Sequence, residues 1–180
     1  MYMPNLKPVP LICGSNSRLK QLLFWFKSSR KWKFGQDYVI YYQKENKYIY
    51  IPKGFCIDGA SVPKILSNIY SSISILFLGA IPHDFGYKYN GLLILNTNTK
   101  QLHLETYTRE TLDIIFRDIN IQFNNLPYIT QYAYLALKTF GFFAWDNHRK
   151  INSLFSDDYL EYLIDFKLPK FIELKFCSKF

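Results

Sequence analysis

Residues 38–51 read YVIYYQKENKYIYI. The two outer runs are rich in β-branched and aromatic side chains, which favour extended backbone on a half-buried sheet. The polar residues Lys44, Glu45 and Asn46 between them are typical of a turn. The stretch therefore predicts an antiparallel hairpin, which Pro52 and Gly54 bring to an end.

A second hairpin is predicted further along the chain. Residues 92–95 and 101–104 are mainly apolar, and the sequence Asn-Thr-Asn-Thr at 96–99 separates them. Short polar residues of this kind close tight turns by bonding nearby backbone N–H groups. The pattern again favours two antiparallel strands.

Helices are predicted after the hairpins. Thr108 is a candidate N-cap for a helix that begins at Arg109. Residues 130–140 place apolar side chains at helical spacing, and Gly141 predicts the end of that helix. Residues 156–158, Ser-Asp-Asp, predict the cap of a last helix through residue 165. Hairpins followed by helices indicate a single α+β domain over residues 1–180, with a C-terminal helix and basic tail at 156–180.

Composition excludes several classes of protein. Hydrophobic residues make up 49% of the chain, which excludes a disordered protein. The three cysteines form no Cys-x-x-Cys pair, which argues against a thiolate zinc site. The longest apolar window, residues 73–82, is too short to span a bilayer. The first ten residues lack the pattern of a signal peptide.

The net charge of +8 favours polyanionic surroundings or a polyanionic substrate. The lysines are scattered, however, and no nucleic-acid-binding module is recognisable in the sequence. We therefore expect no specific nucleic-acid partner.

Reactive side chains concentrate in two stretches. Residues 54–63 read GFCIDGASVP, and residues 81–87 read IPHDFGY. Asp58 and Gly59 indicate a turn, and the following helix most simply starts at Pro63. Ser61 then lies outside the helix, where its hydroxyl can bond Asp58. The alternative interpretation is a rigid strand-to-helix turn without chemistry.

The second stretch also allows two interpretations. His83 and Tyr87 are four residues apart and share a helix face. His83 and Asp84 are adjacent, so their side chains should diverge by roughly a hundred degrees around a helix. If the helix begins at Pro82, Asp84 lies in the first turn, where capping alone would explain it. His83 lies among Ala80, Ile81 and Phe85, so the alternative interpretation for it is a buried, hydrogen-bonded core histidine.

The functional hypothesis brings Asp58, His83 and Asp84 together as catalytic residues and as ligands of a divalent metal that activates water. Asp113 and Tyr87 are further candidates. A second hypothesis uses Ser61 as a nucleophile with His83 as its base. The sequence around Ser61 lacks the Gly-x-Ser-x-Gly elbow that would support it.

These stretches resemble a family signature, Gly-Phe-x-Thr-Asp-x-Ala-Ser-Val-Pro followed by His-Asp-x-x-Tyr. The family is the phage-associated domain of unknown function number 1353. The resemblance extends to Arg109, Asp113 and Trp145, giving a family-like core of about residues 37–145, although Ile57 replaces the usual Thr. It implies a phage protein in the host cytoplasm or the virion, but no reaction.

Three classes of function remain open from the sequence. The first is a small metal-dependent hydrolase that acts on cell-wall material or a phosphoester. The second is a non-catalytic virion or tail protein, with other virion or tail proteins as partners. The third is a basic module that binds nucleic acid or a host factor.

Overall fold

The computed structural model describes residues 4–8, 17, 32–57 and 76–152, with the side chains of 149–152 left aside. These ranges contain two antiparallel sheets and three helices, which confirms the predicted α+β class. In chain order the elements are β1 (Leu6–Pro8), β2 (Trp32–Phe34), β3 (Tyr38–Tyr42), β4 (Lys47–Ile51), β5 (Cys56–Ile57), α1 (Phe77–Tyr89), β6 (Gly91–Asn96), β7 (Gln101–Thr106), α2 (Arg109–Asn124) and α3 (Pro127–Asn152).

The larger sheet has the strand order β3-β4-β6-β7 and contains both predicted hairpins. In the first hairpin Tyr38 pairs with Ile51. Asn96 closes the second hairpin, because its side chain accepts hydrogen bonds from the backbone N–H groups of Asn98 and Thr99. Pairing of Ile49 with Ile94 joins the hairpins into one sheet.

The smaller sheet, β1-β2-β5, brings the chain up to the first reactive stretch. Trp32 on β2 pairs with Ile57 on β5. Phe55, just before β5, packs edge-on against Phe85 of α1, with ring centroids 5.1 Å apart. The strand that precedes Asp58 is therefore attached to the helix that carries His83.

Helix α1 begins at Phe77, five residues before Pro82, so a helix start at Pro82 is wrong. Asn120 of α2 makes the earlier start possible. Its Oδ1 accepts a hydrogen bond from the Gly79 backbone N–H at 3.1 Å, and its Nδ2 donates to the Phe116 carbonyl at 3.0 Å. A first-turn donor of α1 is thus satisfied from a neighbouring helix rather than by a local cap.

Helix α2 has the predicted cap. The Thr108 hydroxyl accepts a hydrogen bond from the Thr111 backbone N–H at 3.3 Å, and Glu110 lies in the first turn. The C-terminal half of α2 is hydrogen-bonded to the first hairpin. The Gln122 side chain accepts a hydrogen bond from the Gln43 backbone N–H and donates one to the Tyr41 carbonyl.

Helix α3 continues to Asn152, so the predicted end at Gly141 is wrong. A Cβ atom at Gly141 would stand 2.6 Å from the Tyr87 hydroxyl oxygen. The glycine therefore allows α3 to approach α1 closely, and it does not terminate the helix. The predicted helices after Pro63 and at 156–165 lie outside the described residues.

The outer face of α3 is apolar along most of its length. No helix in the described ranges is long and apolar enough to cross a membrane. A contiguous exposed apolar surface such as the outer face of α3 is uncommon on monomeric proteins. The exposed large hydrophobic residues of this region are Leu126, Tyr128, Ile129, Tyr132, Leu135, Phe140, Phe142 and Phe143.

Candidate functional site

The site is built where α1 crosses α2. His83 Nε2 lies 2.9 Å from Asp113 Oδ1, and the two residues are only 1% and 2% exposed. One turn further along α1, the Tyr87 hydroxyl donates a hydrogen bond to the same carboxylate oxygen at 2.7 Å. Asp113 therefore forms hydrogen bonds with both polar side chains on this face of α1.

Aromatic rings enclose this network. The rings of His83 and Tyr87 lie 4.0 Å apart, which confirms that the two residues share a helix face. Phe116 meets the imidazole edge-on at 5.6 Å, and Trp145 of α3 meets the Tyr87 ring edge-on at 5.2 Å. Close packing of this kind holds each ring in one orientation.

Asp84 approaches the other side of the imidazole. Its Oδ1 lies 3.5 Å from His83 Nδ1, although the two residues are adjacent on a helix and were expected to diverge. Because α1 begins at Phe77, Asp84 lies well beyond the first turn, so capping does not explain its position. Asp84 is also buried.

Burial and charge act on His83 in opposite directions. Burial alone lowers the pKa of His83, but the hydrogen bonds to Asp113 and Asp84 outweigh it, so the pKa lies above its ordinary value. The imidazole between its two carboxylates therefore favours the charged form when no metal is bound. A metal at either ring nitrogen would have to displace a proton.

Tyr87 keeps its proton. Burial and the hydrogen bond to Asp113 both raise the pKa of the Tyr87 phenol far above its ordinary value. The phenol thus remains a hydrogen-bond donor at physiological pH. Its role in this arrangement is to hold the Asp113 carboxylate in place.

Four of the six candidate residues meet in this cluster, namely His83, Asp84, Tyr87 and Asp113. The other two, Asp58 and Ser61, lie outside the described residues, so their approach to His83 stays a prediction. Within the described ranges, no group of three or more His, Cys, Asp or Glu side chains is arranged to hold a metal.

Asn120 was missed by sequence reasoning. It is fully buried, and it supports the start of the helix that presents His83. A signal for it exists in the sequence, because an amide stands beside Phe116 and Ile119 among the apolar residues of α2. A buried amide in such surroundings needs hydrogen-bond partners, which predicts a polar contact between helices.

A family model described as "Protein of unknown function (DUF1353)" matches residues 32–137. The match confirms the resemblance found in the sequence, and it includes His83, Asp84, Tyr87 and Asp113. No curated protein and no solved structure shows a significant match to the chain.

Proposed function

The chain belongs to the DUF1353 family, and from the geometry around His83 we propose that it is a metal-dependent hydrolase. One observation carries the proposal. His83 Nε2 is tied to Asp113, while His83 Nδ1 faces Asp84 Oδ1 at 3.5 Å. Metal-binding histidines characteristically donate their other ring N–H to a carboxylate, which fixes the tautomer and the ring orientation. Asp113 stands in the position of that carboxylate.

The distance from His83 to Asp84 suits two ligands of one ion. Zinc binds histidine nitrogen and carboxylate oxygen at about 2.1 Å, and tetrahedral angles then place the two donor atoms about 3.4 Å apart. The observed 3.5 Å agrees with this separation. Other divalent ions that accept nitrogen and oxygen ligands are compatible with the same pair.

The remaining positions around the ion belong to Asp58 and to water in this proposal. Asp58 follows directly after β5, whose neighbour Phe55 packs against α1. A bound divalent ion would lower the pKa of a coordinated water and so supply a nucleophile at neutral pH. The substrate classes are those expected from the sequence, cell-wall material or a phosphoester.

Zinc titration by calorimetry tests the site directly. We expect the full-length protein to bind one zinc ion, and His83→Gln and Asp84→Asn to reduce the affinity at least tenfold. His103→Gln is the matched control, because His103 is exposed on β7, and it should bind as the wild type does. Equal zinc affinity in all four proteins would overturn the metal site.

Activity is tested separately with the zinc-loaded protein. Purified cell walls and a chromogenic phosphodiester represent the two substrate classes. We expect release of product from one of them by wild type and His103→Gln but not by His83→Gln. Turnover by His83→Gln at the wild-type rate would contradict the proposal.

The second candidate is a non-catalytic virion or tail protein, and the burial of the network favours it. His83 and Asp113 are nearly inaccessible, and both face partners within the protein. In that case His83 only joins α1 to α2. A wild-type protein that binds no zinc, while His83→Gln unfolds more easily than wild type, would favour this candidate.

A further inference from the structure

An open cleft of about 450 Å³ lies where the end of α1 meets the start of α2, with Trp145 of α3 in its lining. Its lining consists of Asn90, residues 106–110 and Trp145. The volume falls within the range of about 300–1,000 Å³ that small-molecule sites occupy.

One side chain, Trp145, connects the cleft to the buried cluster. Trp145 forms one wall and meets the Tyr87 ring edge-on at 5.2 Å. The Tyr87 hydroxyl in turn bonds Asp113, which bonds His83. A ligand in the cleft would therefore rest against Trp145, whose neighbour Tyr87 contacts the His83 ring.

The two charged residues that line the cleft, Arg109 and Glu110, form an ion pair with each other. Arg109 Nη2 donates to Glu110 Oε1 at 3.1 Å, and Arg109 Nη1 reaches the Lys138 carbonyl at 3.4 Å. Recognition of a phosphate group favours an arginine whose donors face the ligand as a fork. Here the guanidinium is shared between a carboxylate and a backbone carbonyl, so the cleft is poorly suited to a phosphoester.

Aromatic and uncharged polar groups make up the rest. Trp145 and Tyr107 are half-buried, and Lys47 Nζ donates a hydrogen bond to the Tyr107 hydroxyl at 3.0 Å. Asn90 and Thr106 are exposed at the rim. Sugars bind to surfaces that combine aromatic and uncharged polar side chains. The C–H face of a sugar ring packs on an aromatic ring, while its hydroxyls form hydrogen bonds with amide and hydroxyl groups.

We propose that this cleft binds a neutral sugar ring of a glycan chain. The inference rests on the proposed hydrolase function and narrows its substrate from two classes to one, the glycan of cell-wall material. The cleft is open to solvent, so the bound ring can belong to a longer chain.

The test is a titration of the full-length, metal-free protein with the N-acetylglucosamine tetramer, followed by calorimetry. We expect binding at millimolar concentration or better, and a loss of at least tenfold in Trp145→Ala. Thr106→Arg, which alters only the exposed rim, should show a similar loss if Trp145→Ala does not fold. Tyr132→Ala removes an exposed aromatic residue of α3 outside the cleft and should bind as wild type does.

Absence of tetramer binding by the wild type would overturn the proposal, as would equal binding by Thr106→Arg. Binding of inorganic phosphate in place of the tetramer would also overturn it. The zinc titration is independent of this result. Sugar binding without zinc binding would overturn the hydrolase, whereas zinc binding without sugar binding would overturn only the cleft.

Discussion

Asp113 supports the site through a single oxygen atom that accepts hydrogen bonds from both His83 and Tyr87. A buried group of this kind is costly to disrupt, because the loss of one charge leaves its partner in a poorly solvating environment. The stability of the α1–α2 contact therefore depends in part on the Asp113 carboxylate.

Asp113→Asn tests this dependence. The substitution preserves the shape of the side chain and removes its charge, so we expect the free energy of unfolding to fall by about 3 kcal/mol. Urea denaturation measures the change. Asp146→Asn, at an exposed position of α3, is the control and should stay within about 0.5 kcal/mol of wild type. An Asp113→Asn protein as stable as the control would contradict the role of the charge.

Gly141 gives a second test at the residue scale. Alanine in a helix interior is usually more stabilising than glycine by about 0.5–1 kcal/mol. At Gly141 a Cβ atom would crowd the Tyr87 hydroxyl at 2.6 Å, so we expect Gly141→Ala to destabilise the protein by about 1–3 kcal/mol.

A double-mutant cycle isolates the cause of that loss. Tyr87→Phe removes the crowded oxygen atom, so Gly141→Ala should become neutral or stabilising in the Tyr87→Phe background. An equal loss in both backgrounds, measured by urea denaturation, would show that the hydroxyl is not the obstacle.

The residue types of the site were predictable from the sequence, but their geometry was only partly so. Helical spacing placed Tyr87 beside His83 correctly, because that contact lies within one helix. The approach of Asp84 to the imidazole depends on the orientation of two side chains of the same helix, and the choice of Asp113 as partner depends on how two helices pack. Neither follows from periodicity along one helix.

At the scale of elements, Asp118 fastens α2 to the first hairpin. Its carboxylate accepts hydrogen bonds from the Tyr42 hydroxyl at 3.0 Å and from Lys44 Nζ at 2.9 Å, and Arg117 bonds its other oxygen. Burial raises the pKa of Asp118, but these bonds outweigh burial and hold the pKa below its ordinary value. The ionised Asp118 carboxylate therefore stabilises the folded state.

The consequence is a loss of stability in acid. Because the folded pKa lies below the unfolded value of about 3.9, the contribution is present above that pH and disappears as pH falls through the folded pKa. Asp118→Asn should cost about 1–2 kcal/mol at pH 7 and weaken this part of the pH dependence. Urea denaturation between pH 7 and pH 3 measures both effects, and Asp146→Asn should keep the wild-type profile. An unchanged profile in Asp118→Asn would contradict the assignment.

The elements differ in how well the sequence predicted them. Both hairpins were predicted because a strand pattern with a polar turn is local information. The start of α1 was obscured by Pro82, since its effect is offset by Asn120, which is distant in the sequence. The length of α3 was missed because a glycine can mark either a helix end or a close contact.

At the scale of the whole molecule, several cations of the first hairpin and α2 are held in ion pairs. Lys44 and Arg117 pair with Asp118, while Lys47 pairs with both Glu45 and Glu105. Cations held by carboxylates on the protein are less available for phosphates. The carboxylates of these pairs are already subtracted in the net charge of +8, and the remaining cations are scattered along the sequence.

We expect only weak, non-specific binding to DNA. Affinity should be poorer than about micromolar at physiological salt and should fall further as salt rises, because each phosphate contact releases counterions. Gel-shift titrations at two salt concentrations with two unrelated duplexes measure it. Tight binding to one duplex that survives the higher salt would instead support the nucleic-acid-binding class.

Gly79, Pro82 and Gly86 all lie within the thirteen residues of α1. Together they lower its intrinsic helix stability by roughly 5 kcal/mol relative to alanine, so this segment has little tendency to be helical by itself. Its helical state depends on docking against α2 and α3, where the glycines admit Leu112 and the Asn120 amide. The helix that carries His83 should therefore form late in folding, and its amide hydrogens should exchange with solvent whenever that docking is lost.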